Sequence, residues 1–452
     1  MVESLRQKYH LEPKCGLLND PNGLTFYKGK YHVFFQWNRF KKDHSYKEWG
    51  HFSSEDMITW DFDGSAIFPD QSYDINGVYS GSSYVIGEKL YLFYTGNVKR
   101  DGKRKSSQCL AVSEDGRSFL KKGVVLDTPE NFTEHFRDPK VWKGKRQEYF
   151  MVVGAQRKNG KGAIALCRSI NGDIWEYVNV LAKTELYEMV ECPDLFPLNG
   201  EDVLLFNPQK RDNRRDIPLH SFAAYKIGRF DQKSCLFYDG NLDCKYKYMD
   251  YGFDFYAPQT FQSPDRRRIL FAWMSRMEAE QEQIFAKQQP NIHCLTMPRE
   301  LSVKNGSLCQ CPVKEMYEMV GTKVEVFEDG EGRKRAYPSS RAFLLKICGI
   351  AHKKRLLIDL HNEEAKIEYR PLEKTVTFSR KNWVTGEMEF RHCFLETLET
   401  VEVWSDQSSL EVFLNNGMAV FSSRIFPNGT ELQIDIEGME KFTTINVNEI
   451  QR

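Results

Sequence analysis

Four acidic residues, Asp20, Asp138, Glu191 and Asp254, stand in short polar motifs that recur about every 60 residues over the first two thirds of the chain. The motifs are Asn19-Asp20-Pro21, Arg137-Asp138-Pro139, Glu191-Cys192-Pro193-Asp194 and Gly252-Phe253-Asp254-Phe255-Tyr256-Ala257. Tyr79-Ser80-Gly81-Ser82 holds the matching position between the first two. Carboxylates facing one cavity suit glycoside hydrolysis, because one can stay ionised as a nucleophile while another is kept protonated as an acid. A carbohydrate-binding surface without catalysis is a second reading, and a Ca²⁺ or Mg²⁺ site is a third. The acids come from different repeats and lack EF-hand spacing, which ranks the metal last. A Ser-His-Asp arrangement is a poor fit, with no Gly-x-Ser-x-Gly and no base evident for Ser80.

The surroundings of Asp20 are the most constrained. Pro21 fixes φ and Gly23 permits a reversal, so Leu18-Asn19-Asp20-Pro21-Asn22-Gly23 reads as a rigid turn ahead of a strand. By itself that is ordinary Asx-turn chemistry. Its partners elsewhere in the chain make it a candidate site.

The elements that must position these groups also repeat. Aromatic, β-rich runs recur at Tyr31–Trp37, Leu90–Tyr94, Glu148–Val153, Val203–Phe206 and Ile269–Trp273. Ser-acidic turns leading to an aromatic follow three of them, at Ser54-Glu55-Asp56, Ser113-Glu114-Asp115 and Ser169-Ile170-Asn171. One such unit per roughly 60 residues, with little helical periodicity, predicts four-stranded blades. The fold class is therefore all-β: a five-bladed β-propeller over residues 1–304, with a pair of packed sheets as the alternative. Equivalent positions of successive blades converge on one funnel, which would collect Asp20, Asp138, Glu191 and Asp254. Residues 305–335 are polar and charged and read as a linker. Residues 336–452, with alternating strands and turn signals at Asn416-Gly417 and Asn428-Gly429, read as a C-terminal β-sandwich.

Lys+Arg and Asp+Glu are equal at 63 each, so charge balance gives no sign of nucleic acid or an anionic membrane as partner. No apolar run approaches a membrane span, and the polar N-terminus lacks the core of a signal peptide. The 11 cysteines are scattered, and Cys309 and Cys311 lack metal-site spacing, so free thiols in a reducing, cytoplasmic compartment are expected, with no metal or other cofactor. Oligomeric state has no sequence signature.

Taken in order, Leu18–Gly23, Phe35-Gln36-Trp37-Asn38, Trp49-Gly50-His51, Tyr79–Ser82, Phe136-Arg137-Asp138-Pro139, Glu191–Phe196 and Asp254–Ala257 resemble the motif set of glycoside hydrolase family 32, the invertases and fructan hydrolases. The likeness continues through Leu295–Leu301, Glu411–Asn415 and Ser423–Pro427. It implies retaining hydrolysis of a small-molecule β-fructofuranoside. Asp20 would be the nucleophile at the anomeric C2 and Glu191 the acid/base. Asp138, beside Arg137, would hold fructose hydroxyls and stabilise the transition state. Asn19, Gln36, Trp49, Tyr79, Ser80 and Asp254 would position the sugar, and Trp273 would stack on it. Leu18 stands where many members have Trp, Tyr79 where many have Phe, and Arg39 where Pro is usual.

The segment His44–His51 is similar to that of intracellular sucrose-6-phosphate hydrolases, which makes Lys47 a candidate for the phosphate. The Lys99–Lys105 run reads as an exposed hairpin that adds positive potential. Sucrose 6-phosphate and sucrose are the leading substrates, with fructo-oligosaccharides and transfer to a sugar acceptor as the alternatives.

Overall fold

The computed structural model describes residues 5–210, 221–275, 277–350, 354–427, 432–439 and 443–451. The chain folds as two compact units. One comprises Pro13–Met249 and Tyr256–Trp273; the other comprises Met1–Glu12, Asp250–Phe255 and Met274–Arg452.

The first unit is built from antiparallel four-stranded meanders. Their strands are β1 (Gly16–Tyr27), β2 (Lys30–Asn38), β3 (Glu48–Ser54), β4 (Asp61–Ile67); β5 (Val78–Ile86), β6 (Lys89–Arg100), β7 (Lys103–Ser113), β8 (Leu120–Asp127); β9 (Phe132–Lys143), β10 (Tyr149–Arg157), β11 (Gly162–Ser169), β12 (Glu176–Lys183); and β13 (Met189–Leu198), β14 (Glu201–Gln209), β15 (Ala224–Gly228), β16 (Lys247–Tyr248). A further pair, β17 (Tyr256–Gln262) and β18 (Arg268–Met274), follows. The aromatic runs are the second strands. They are unbroken rather than alternating because both of their faces are covered: β2 is buried from Val33 to Asn38. The fourth strands face water, and β8 has no fully buried residue. Apolar clusters fill the space between successive sheets, such as Phe93, Phe136, Met151 and Trp175 between the second and third. The Ser-acidic turns join third to fourth strands. The hydroxyls of Ser54, Ser113 and Ser169 donate to Asp56, Asp115 and Asn171 at 2.9, 2.9 and 3.2 Å.

The first strands form a closed ring in which β1 lies along β5, β5 along β9, β9 along β13, β13 along β17, and β17 along β1. Side chains tie neighbours together. Asn22 Oδ1 accepts from the Gly81 amide at 3.1 Å, Ser82 Oγ from the Val141 amide at 3.1 Å, and Asp194 Oδ2 from the Thr260 amide at 2.9 Å.

Each first strand breaks register with its second strand at the polar motif: at Leu18/Pro21, Tyr79/Gly81, opposite Val152/Gly154, at Glu191/Asp194 and at Tyr256/Gln259. Four of these breaks contain a proline (Pro21, Pro139, Pro193, Pro258), a residue with no amide for the ladder and therefore tolerated at a bulge. The residue before three of them is left-handed, with φ of 68° at Asp138, 42° at Cys192 and 49° at Ala257. In β5 the break carries Gly81, where a Cβ would lie 1.9 Å from the Phe93 carbonyl oxygen. The Asn19–Gly23 segment is therefore a doubly bulged strand and not the turn that its composition suggests, because ladder bonds to β2 resume on both sides of each bulge.

In the second unit, a six-stranded sheet (Val320–Val324, Thr444–Ile450, Phe343–Cys348, Thr400–Asp406, Ser409–Leu414, Ala419–Arg424) and a seven-stranded sheet share one apolar core, with Leu345, Ile358, Ile367, Val403 and Val412 fully buried. Asn416 and Gly417, at φ 55° and 80°, form the tight connection read from sequence. Asn428-Gly429 lies outside the described residues. Residues 305–335 are not a structureless linker. They carry strands at Ser307–Pro312, Val320–Val324 and Val326–Glu328, the first mostly buried and the other two half-buried or exposed.

In this unit the segment before Leu11 is held by buried charge. The amides of Lys8 and Tyr9 donate to Asp406 at 2.7 and 3.0 Å, and the His10 ring sits between Asp406 and Glu411 at 2.8 Å from each. Burial alone would push the imidazole down, but its hydrogen bonds to Asp406 and Glu411 outweigh that, and its pKa rises to about 9. The folded value exceeds the unfolded one, so this stability is whole below about pH 6.5 and is lost as pH climbs through about 9. Thermal melts of His10→Gln should show a loss of about 2–3 kcal/mol at neutral pH that shrinks toward zero above about pH 9. A constant loss across that range would contradict the charged triad.

Candidate active site

Asp20, Asp138 and Glu191 project from the bulges of β1, β9 and β13, three members of the ring of first strands. Cys192 links them. Its amide donates to Asp138 Oδ2 at 3.0 Å, and its thiol lies 3.8 Å from Asp20 Oδ2. The left-handed φ at Cys192 turns that amide toward Asp138, so the strain belongs to the site's construction.

Each carboxylate has different company. Asp20 Oδ2 accepts from Ser80 Oγ at 2.5 Å, and Gln36 Nε2 in turn donates to Ser80. Burial raises the Asp20 pKa. The Ser80 hydrogen bond and the Lys47 charge oppose the rise, and Glu191 adds to it. Glu191 is gripped at both oxygens, with Arg137 Nη2 at 2.7 Å from Oε1 and Tyr256 Oη at 2.6 Å from Oε2. Asp138 is 5 % exposed and keeps its Oδ2 3.9 Å from Arg137 Nε, while its own amide donates to Thr95 Oγ1 at 3.0 Å. Burial lifts its pKa to about 7; Arg137 opposes this, and the anionic Glu191 and Asp20 reinforce it.

The remaining candidates divide. Asn19 and Lys47 pair with one another beside Asp20, and the Lys47 amine also meets His44 Nδ1 at 3.0 Å. Lys47 is only 7 % exposed, so it is an interior cation next to Asn19 and Asp20. Trp49 is fully buried among Phe34, Val78 and Tyr94, with its indole N–H on the Tyr79 carbonyl at 3.1 Å, so it braces the strand before Ser80. Tyr79 is half-buried, with the Arg104 guanidinium 5.9 Å from its ring. Trp273 lies 6.2 Å from the His44 ring and 6.4 Å from the Tyr256 ring.

Asp254 does not join the other three acids. Its carboxylate is fully buried in the second unit, where it pairs with Arg380 and accepts from the Arg424 amide at 2.8 Å. Its carboxylate is thus committed to an internal ion pair. The fifth motif instead contributes Tyr256, which the acid-to-acid spacing overlooked. Counting back from the bulge proline would have found it, because Tyr256 is two residues before Pro258 as Glu191 is two before Pro193. His44 was missed for want of any periodic signal.

Three carboxylates with unlike partners, one guanidinium and one phenol can divide nucleophilic, acid and hydroxyl-binding roles at an acetal carbon. Residues 10–312 match the glycosyl hydrolases family 32 N-terminal domain, and residues 351–450 match the glycosyl hydrolases family 32 C terminal. The chain is 40% identical over 440 residues to a sucrose-6-phosphate hydrolase of Bacillus subtilis (strain 168), covering 93% of this chain and 89% of that one. Among solved structures it is similar to the sucrose-6-phosphate hydrolase of Lactobacillus gasseri, at 26% identity and TM-score 0.88 over 100% of this chain and 94% of that one. It is also similar to a Bombyx mori GH32 beta-fructofuranosidase, at 28% identity and TM-score 0.86 over 99% and 94%.

Tyr256→Phe removes one charge-assisted donor from Glu191 and should lower kcat about tenfold to hundredfold with the fold intact by circular dichroism. An unchanged kcat would mean that this hydrogen bond does no catalytic service.

Proposed function

Because the chain belongs to glycoside hydrolase family 32, we propose that it hydrolyses the fructosyl bond of sucrose 6-phosphate through a covalent fructosyl-enzyme. The observation that carries this reading is the meeting of Asp20, Asp138 and Glu191 around Cys192, with Arg137 and Tyr256 holding both oxygens of Glu191. In the first half-reaction Glu191 gives its proton to the glycosidic oxygen while Asp20 Oδ attacks C2, forming an ester and releasing the other sugar. In the second, Glu191 takes a proton from water, the water oxygen attacks C2, and Asp20 leaves. Two inversions give net retention. Asp138 accepts from fructose hydroxyls and balances positive charge on the ring in the transition state. Its Arg137 neighbour opposes the rise that burial imposes on its pKa. Lys47, beside Asn19, tempers the negative charge at Asp20.

The ring of five first strands supports a five-bladed β-propeller over residues 1–304. The two sheets sharing one core support a β-sandwich over 336–452, and strands within 305–335 join those same sheets. The phosphorylated substrate follows from the Bacillus subtilis and Lactobacillus gasseri relatives. Among the described residues no helix is long and apolar enough to cross a membrane, and a cytoplasmic site of action fits a sugar phosphorylated on entry.

With purified protein, kcat/KM for sucrose 6-phosphate should exceed that for sucrose, and Asp20→Ala should cut kcat by about 10⁴-fold or more. Glu191→Gln should lose the pH-dependent limb that requires an acid. If the intact chain releases reducing sugar from neither substrate, the reading fails.

A further inference from the structure

The β6–β7 hairpin ends in Lys99-Arg100-Asp101-Gly102-Lys103-Arg104-Lys105, five cations against one acid in a chain of zero formal net charge. Asp101 and Gly102, at φ 51° and 72°, make the two-residue turn whose twist suits a hairpin, so the tip is a tight, defined structure. Between this tip and Ser72 and Tyr73 opens a cleft of about 570 Å³ lined by Arg100, Lys103, Arg104 and Lys105. Lys105 is answered by Asp127 at 3.0 Å, whereas Arg100, Lys103 and Arg104 have no ion pair among the described residues.

The hairpin bears on the strands that carry Ser80 and Arg137. Arg104 stands over the Tyr79 ring, and the next residue, Ser80, is the donor to Asp20. On the other side, Ser106 donates to the Glu134 carbonyl, three residues before the Arg137 that grips Glu191. The leaving sugar departs on the side of the acid that protonates its oxygen, and Arg137, which grips that acid, lies on β9, the strand this hairpin packs against.

The geometry points to the β6–β7 hairpin as the site that receives the phosphate dianion of the leaving hexose 6-phosphate, with Arg104 as its principal ligand. The guanidinium presents a planar fork to phosphate oxygens and lies 5.9 Å from the Tyr79 ring centroid, within cation–π range. Arg100 and Lys103 add charge around it. The same tyrosine would then touch the phosphate-binding arginine on one face and adjoin the nucleophile's hydrogen-bond donor through the backbone. This inference rests on the substrate proposed above.

The test is the ratio of kcat/KM for sucrose 6-phosphate to that for sucrose. Arg104→Ala should lower it about tenfold and the triple Arg100→Ala, Lys103→Ala, Arg104→Ala about a hundredfold, mainly through KM, while Arg104→Lys keeps an intermediate ratio. Inhibition by glucose 6-phosphate should weaken in parallel, and the melting temperatures should remain close to wild type because the tip is at the surface. A wild-type enzyme that prefers the phosphorylated sugar, with a triple variant that prefers it equally, overturns the hairpin site and leaves the substrate reading standing. A wild-type enzyme without any preference overturns the substrate reading, and this site with it.

Discussion

Arg137 is the charge on which the site depends. Burial and mutual repulsion push protons onto Asp20 and Asp138, and an uncompensated cluster of three acids would sit largely neutral. Arg137 answers two of them at once, at 2.7 Å from Glu191 and 3.9 Å from Asp138, and their charges in turn hold its guanidinium firmly protonated. Lys47 performs a lesser version of the same service for Asp20. The three acids thus remain chemically unlike at short range, which is what a nucleophile, an acid and a hydroxyl acceptor require.

A regular strand could not assemble this group, because alternate residues point to opposite faces. The bulges solve that problem five times over. Each breaks register at one place in the first strand, and the prolines, left-handed residues and Gly81 allow it without leaving an amide stranded. The ring of first strands then brings separate bulges to one place. Buried second strands anchor each of them, so the site rests on sheet rather than on loops.

Much of this was legible in the residues. The second-strand runs, the Ser-acidic turns and the recurrence of the polar motifs marked the repeat, since both strands and turns have local chemical signatures. Asp20, Asp138 and Glu191 could be found because they share one repeat position. What was obscure depends on long-range pairing. The Asn19–Gly23 segment has turn residues but is a bulged strand, because only the register with β2 distinguishes the two. Asp254 was misread because its partner, Arg380, is 126 positions away, and Tyr256 was hidden two residues further along the same motif. The burial of Lys47 was hidden because nothing local announces that Asn19 and His44 meet its amine.

The central claim is that Asp20 carries the sugar between the two half-reactions. The direct measurement is to react the Glu191→Gln variant with a fructoside whose leaving group needs no protonation, quench in acid, and map the labelled peptide by mass spectrometry. The account predicts one fructosyl group esterified to Asp20, within the peptide that spans Leu18–Gly23. A label on any other residue, or turnover with inversion and no label, would contradict it.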